Sequence, residues 1–396
     1  MKKTLIIVLI LISLTSCTVK MANPNTQTTE TTDIQNTLEI KRSNKNKTTI
    51  LKGVWISCYE LDFKDKTKIG FSTEINKMFN DVKSKGFNTI FIHVRSHSDA
   101  YYKSKYFPFS SFISKKQGLN PGYDPLKIMC YFAKMYSLKI HAWINPFRVS
   151  TNKNIDYLSD NNPAKKHILS KDGVVKEVDN GYYFNPCYDS VRKLIVNGVK
   201  EIVENYDIDG IHFDDYFYPT TDKSFDKEEY KKSNSSLSLY DWRRQNIDKL
   251  IKEVYKVVKN ENKIFGISPH CSFYYNYNTQ YADIKKWCKN SGYIDYIAPQ
   301  IYFGFEEKTK TPDGQSLAFK SCFNYWKKHS YKKPMYIGLA LYRCGEKGEF
   351  SKNNVISRQI EYLNSEKSDG YIIFSYSYFN KNKLATENAI KIIKAS

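Results

Sequence analysis

Short apolar runs alternate along this chain with longer stretches in which apolar residues recur at helical spacing. Residues 53–57 predict a strand, and residues 72–85 a helix with Ile75, Phe79 and Val82 on one face, Ser72 as its cap and Gly86 at its end. A strand over 88–94 and, after a long insertion, a helix over 125–136 come next. The strand at 139–144 precedes a helix over 189–204, and an apolar strand within 207–219 precedes a long helix over about 239–259. The second half repeats the alternation, with strands at 264–268, 293–298, 335–340 and 371–375 and helices over about 281–289, 315–328, 352–364 and 385–394. Eight strand–helix units with connections long enough for right-handed crossovers predict an α/β fold of the closed (β/α)8 type, a TIM barrel, rather than an open doubly wound sheet. No G-x-G-x-x-G follows the first strand, which argues against a dinucleotide-binding fold.

In such a barrel the reactive groups gather at the C-terminal ends of the strands. Here every predicted strand ends in polar or aromatic residues, and the segment 207–219, DIDGIHFDDYFYP, is the richest. Alternation places Gly210, His212 and Asp214 on one strand face and Asp209, Ile211 and Phe213 on the other. With the first face inward, Asp214 stands at the barrel mouth. Adjacent carboxylates followed by Tyr216, Phe217 and Tyr218 suit a site that cleaves sugars, since carboxyl groups supply acid, base or charge stabilisation and aromatic rings stack on sugar faces. Asp214 is the first candidate catalytic group. Asp215 is the second if the strand end bends; otherwise Glu60, Asp99, Glu306 or Glu346 supplies the partner. His212 orients Asp214 or is structural, Arg95 and Arg148 bind a carboxylate or anchor Asp214, and Trp143 is part core and part sugar platform. Asn145, Tyr216, His270, Gln300, Tyr302 and Tyr376 complete the candidate substrate-binding set.

The N-terminus changes the setting. Met1-Lys2-Lys3, an apolar run from Leu5 to Ile12 and Leu14-Thr15-Ser16-Cys17 predict a secretory leader over 1–16, too short to persist as a membrane span. Its end resembles a bacterial lipobox, which implies cleavage before Cys17 and lipidation of that residue. Residues 17–47, rich in Thr, Asn, Gln and Lys, predict a flexible tether, and 48–396 the barrel. The expected product is a domain tethered to a membrane through its lipid anchor only and facing away from the cytoplasm. A formal charge of +20 suits proximity to anionic envelope polymers, and without a helix-turn-helix or zinc pattern no nucleic-acid partner is expected. Besides Cys17, seven cysteines remain, an odd number with no C-x-x-C pair, so they are expected as small buried thiols rather than a disulfide framework. No H-E-x-x-H, G-x-S-x-G or G-x-x-x-x-G-K-[ST] is present, so no metal and no cofactor are expected. Nothing in the pattern fixes an oligomeric state.

Six motifs occur in order: GVWIS, FIHVRSHSDAYYKSKYFPFS, HAWINPFR, DGIHFDDYFYP, GISP and YIAPQIYF. Together they resemble the glycosyl-hydrolase-like 10 family over most of the predicted barrel. The resemblance implies a glycosidase barrel, often exported and associated with the cell envelope, with a relative that cleaves peptidoglycan glycan strands lacking stem peptides. It implies roles for Asp214 and Asp215, with Arg95, Asn145, Arg148, Gln300 and Tyr302 on the sugar. His97-Ser98 and His270-Cys271 depart from the commoner family pattern and put the particular substrate in question. DGIHFDDY also resembles the D-x-x-D-x-D-x-E signature of chitinase-like barrels, with His212 at the second acid and Tyr216 at the Glu, which leaves a substrate-assisted route open. The expectation is therefore a membrane-anchored glycoside hydrolase acting on peptidoglycan glycan. The alternatives are another polysaccharide as substrate, or an inactive glycan-binding lipoprotein.

Overall fold

The computed structural model describes residues 50–214 and 216–396. The expected leader, Cys17 and tether, and also Asp215, lie outside the described residues. Eight strands form one parallel ring: β1 (Leu51–Ile56), β2 (Thr89–Arg95), β3 (Lys139–Ile144), β4 (Gly210–Phe213), β5 (Ile264–Ile267), β6 (Tyr296–Ile297), β7 (Tyr336–Ala340) and β8 (Gly370–Phe374). β8 lies beside β1, and the bridges Ile297–Met335 and Gln300–Gly338 join β6 to β7, so the expected barrel closes. A helix follows each strand: α1 (Lys68–Ser84), α2 (Pro125–Met135), α3 (Asp189–Asn205), α4 (Leu239–Asn260), α5 (Ile284–Lys289), α6 (Phe319–His329), α7 (Val355–Ser365) and α8 (Lys383–Ala395).

Three boundaries differ from expectation. α1 begins four residues before Ser72, with the Thr67 hydroxyl, not Ser72, accepting from the Gly70 amide at 3.1 Å. The region ahead of α5 breaks into a separate short helix, Phe273–Asn278, because Tyr281 takes a left-handed φ of 50° and Asp283 caps a new start. β6 keeps only two ladder residues because Pro299 has no N–H to donate. The insertion between β3 and α3 also carries a small antiparallel sheet of Arg148–Ser150, Val175–Val178 and Gly181–Phe184.

The bottom of the barrel is stapled in a repeating way. The residue just ahead of β2, β4, β6 and β8 is Asn88, Asp209, Asp295 and Asp369, and each side chain accepts a backbone N–H at the start of the preceding strand. The donors are Lys52, Ile140, Phe265 and Met335, at 2.8–3.0 Å. Each staple satisfies an edge amide that burial would otherwise leave costly. The first member of the chitinase-like match, Asp209, is thus a structural acid at the opposite end from the mouth.

Apolar outward positions such as Ile211 and Phe213 join the main core between strands and helices, while Trp55, Phe91, Trp143, Tyr296, Ala298 and Ile372 fill the barrel. Gly266 is needed there, because a Cβ would lie 2.1 Å from the Tyr296 ring. A chain of hydrogen bonds crosses this interior. The Trp55 indole donates to His212 Nε2 at 3.2 Å, so neutral His212 carries its proton on Nδ1 and donates to the Tyr296 hydroxyl at 2.9 Å. That hydroxyl in turn donates a hydrogen bond to His141 Nδ1 at 2.9 Å. Burial keeps both imidazoles neutral, holding His212 well below its ordinary pKa and His141 at about 3.

Candidate active site

At the C-terminal mouth the Asp214 carboxylate is 3% exposed. Its Oδ1 accepts from the Tyr216 amide at 3.2 Å, a turn in which an Asp side chain braces the backbone two residues on. Its Oδ2 accepts from the Trp143 indole N–H at 3.3 Å. Trp143 in turn stacks on His93, with ring centroids 3.4 Å apart and planes at 19°. His93 Nδ1 accepts from the Cys58 amide at 3.0 Å, so the neutral ring carries its proton on Nε2 and donates to Asn145 Oδ1 at 3.3 Å. Burial holds His93 well below its usual pKa. Neutral His93 therefore supports Trp143 by packing and adds no charge beside Asp214.

Arg148 completes this wall. Its guanidinium stacks on the Tyr216 ring at 4.1 Å. Burial opposes its charge, but Asp214, Tyr216 and Tyr183 outweigh that and hold its pKa above the usual value. Tyr216 is 47% exposed, and one of its faces lies under Arg148. Asp214, Trp143, Asn145, Arg148 and Tyr216 are thus brought together, with His93 as a member that sequence reasoning missed. Its signal was present: in FIHVR, His93 shares the inward face with Phe91.

Around the rest of the mouth, His270 is half-buried, accepts from the Ser272 amide at 3.0 Å through Nδ1, and has its pKa lowered by burial. The Gln300 amide donates to Ser268 O at 2.8 Å, which fixes its side chain. Tyr302 packs edge-on against Tyr342 and tilts over Phe374, with centroids 5.8 and 6.0 Å away.

Four expectations are corrected. His212 is fully buried one layer below the mouth and bonds Trp55, Tyr296 and Ser268, so it presents no atom to a ligand. A bulge after His93 puts Arg95 opposite outward-facing Ile144. Arg95 is therefore buried over the Phe107 ring at 4.7 Å, with Nη2 donating to Pro146 O, away from the mouth. The Tyr376 hydroxyl turns to Asp81 on α1. Trp143 contributes its N–H edge rather than an open platform, because His93 covers one face and only 6% of the residue is exposed.

Among the candidate second acids, Glu60 is consumed by the Ser57 and Ser377 amides and the Ser375 hydroxyl. Glu306 and Glu346 are exposed, and Glu346 pairs with Arg343 at 2.8 Å. Asp99 is buried, and that burial raises its pKa to about 6 against the pull of Ser110, Gln117 and Arg95. Among the described residues, no three His, Cys, Asp or Glu side chains cluster as a metal site would require. The seven described cysteines are all free thiols, and six of them are buried.

A parallel barrel with a braced carboxylate and aromatic groups at its C-terminal mouth is the architecture of a glycosidase. The chain belongs to the glycosyl hydrolase-like 10 family, whose sequence pattern matches residues 50–356, and it is a glycoside hydrolase. It is 31% identical over 379 residues to glycosyl hydrolase YngK of Bacillus subtilis (strain 168), spanning 86% of this chain and 71% of that protein. It is 28% identical over 437 aligned positions to glycosyl hydrolase DigH of Escherichia coli (strain K12), spanning 98% and 95% of the two chains. Among solved structures, the glycoside hydrolase domain of PgaB (BpsB) from Bordetella bronchiseptica superposes with a TM-score of 0.61 at 10% identity, over 87% of this chain and 99% of that one. That likeness concerns the fold.

Proposed function

We propose that this glycosidase is exported, anchored by a lipid on Cys17, and cleaves the glycan strands of peptidoglycan, with those lacking stem peptides as preferred substrates. The observation that carries the catalytic part is Asp214, nearly buried at the end of β4 and held by the Trp143 indole, the Tyr216 amide and the field of Arg148. A carboxylate so fixed is pre-organised to face positive charge developing at an anomeric carbon, or to orient an acetamido group that attacks it. Asp215 is the adjacent candidate for proton transfer. Arg148, Tyr216, His270, Gln300 and Tyr302 are the sugar contacts at the mouth, while Asn145, 1% exposed, serves by holding His93. The leader ending in Leu14–Cys17, the polar tether and the formal charge of +20 support a place beside an anionic cell wall.

The test uses the full-length protein with purified peptidoglycan strands, with and without prior removal of stem peptides, and follows products by mass spectrometry. Shortened saccharides with new reducing ends, formed faster from stripped strands, are expected. Strands left intact while another polysaccharide is cleaved would replace the substrate named here.

A further inference from the structure

A cavity of about 560 Å³ opens beside the Asp214 centre, between the loop after β2 and the small sheet after β3. Its lining includes Val149 and Ser150, which directly follow Arg148, and the charge of Arg148 bears on two of its residues, His97 and Tyr59, so it lies next to the wall that Arg148 completes. Two tyrosines in its lining are unusually open: Tyr59 is 67% exposed and Tyr157 68%. Phe112 steadies Tyr59 by an edge-on contact with centroids 5.7 Å apart.

The lining also holds two buried polar groups short of partners. His97 is 8% exposed, its Nδ1 is engaged with the Ser96 hydroxyl at 3.0 Å, and its Nε2 has no hydrogen-bond partner. Asp99 is 3% exposed; its Oδ2 accepts a long bond of 3.4 Å from Gln117, the Ser110 hydroxyl is a further donor toward the carboxylate, and Oδ1 has no well-formed bond. Unsatisfied buried donors and acceptors are costly, and a ligand bearing hydroxyl or amide groups would relieve them. Lys115 and Lys116 at the rim are opposed by Asp156 and Asp99, so the lining carries no strong excess of either charge. That balance fits an uncharged sugar face better than a phosphate-bearing polymer.

We infer that this cavity is a sugar-binding subsite that holds a pyranose unit of the same glycan chain, stacked on Tyr59 and Tyr157 and hydrogen-bonded by His97 and Asp99. The inference rests on the glycan-hydrolase function proposed above and adds that affinity grows with chain length. A volume of this size is ordinary for a small-molecule site, and stacking on open tyrosines suits a sugar ring.

The experiment measures binding of stem-peptide-free glycan strands and of N-acetylglucosamine oligomers of two to six units by calorimetry, in a full-length Asp214→Asn background that suppresses turnover. Tyr59→Ala and Tyr157→Ala, both at exposed positions that spare the core, are each expected to weaken the longest ligands by about tenfold and leave the dimer unaffected. Tyr59→Trp restores the affinity. In otherwise wild-type protein, the same alanine variants raise KM for long chains and leave kcat on short ones unchanged. Long chains binding the alanine variants as tightly as the parent would overturn the subsite alone. A parent that binds no ligand of any length would overturn the proposed function and the subsite together.

Discussion

The loop that leaves Asp214 is tied down by a buried ion pair, and breaking it makes a quantitative prediction. The side chains of Arg243, on α4, and Asp226 are both 0% exposed. Arg243 Nε reaches both Asp226 oxygens at 3.2 and 2.9 Å, and Nη2 reaches Oδ1 at 2.5 Å. Nη1 donates to the Tyr281 hydroxyl and Nη2 to Asp222 O, while Tyr218 donates to Asp226. The guanidinium also stacks on the Tyr218 and Tyr281 rings at 5.0 and 4.9 Å, and Asp226 raises its pKa above the ordinary value in spite of burial. Removing either partner strands a desolvated charge, which costs about 3–5 kcal/mol. For a barrel of about 350 residues, with an unfolding entropy of about 0.7 kcal/mol/K, that corresponds to a fall in Tm of about 4–7 °C. Replacing both charges by apolar groups of similar volume removes the stranded charge, so Asp226→Leu with Arg243→Met should cost clearly less than the two single changes added together. Urea unfolding of the parent, both single variants and the double variant, with m held constant, measures the coupling. A double variant as costly as the sum of the singles would refute the buried-pair account. Because the loop carries Tyr216 and Tyr218, each single variant should also lower kcat at 25 °C.

Trp143→Phe keeps the stack on His93 but removes the indole donor to Asp214; a lost hydrogen bond to a charged group predicts a fall in kcat of about 10- to 100-fold with little change in KM, and an unchanged kcat would remove Trp143 from the chemistry. His93, His97, His141 and His212 all have folded pKa values lowered by burial, so the unfolded chain binds more protons as pH falls below about 6.5. Stability should therefore drop on acidification from pH 6.5 toward 5, each histidine adding up to about 1.4 kcal/mol per pH unit and Asp99, whose folded pKa is raised, offsetting part of it. A flat stability between pH 6.5 and 5 in denaturant titrations would contradict neutral buried histidines. Asp209→Ala strips the Ile140 amide of its acceptor and should cost about 1–3 kcal/mol, while Asp209→Asn, which keeps an oxygen there, should cost less; equal losses would show that the staple matters through charge.

The barrel was legible because parallel strands covered on both faces are continuous apolar runs, and the chain spaces them with helical segments. The inward face of β4 was legible from alternation alone: Gly210, His212 and Asp214 share it as the pattern implies. What alternation does not carry is depth along the strand. His212 belongs to the layer with Trp55 and Tyr296, and only Asp214 reaches the mouth. Nor does it foresee a bulge, and one extra residue after His93 turned Arg95 to the outer face. Tyr376 follows β8 but reaches Asp81 of α1, a tertiary contact with no local signal. The small sheet after β3 escaped notice because its strands are three or four residues long in a polar insertion, yet it positions Arg148.

The most direct test of the central claim is the release of reducing ends from stem-peptide-free glycan strands by full-length protein and by its Asp214→Asn variant. The variant keeps the shape of the side chain and loses the charge that Arg148 and Trp143 are arranged around. With binding preserved, its turnover should fall by about 10²–10⁴-fold, the range ascribed to a positioned carboxyl group. Wild-type rates from the Asp214→Asn protein would place the chemistry elsewhere in the barrel mouth.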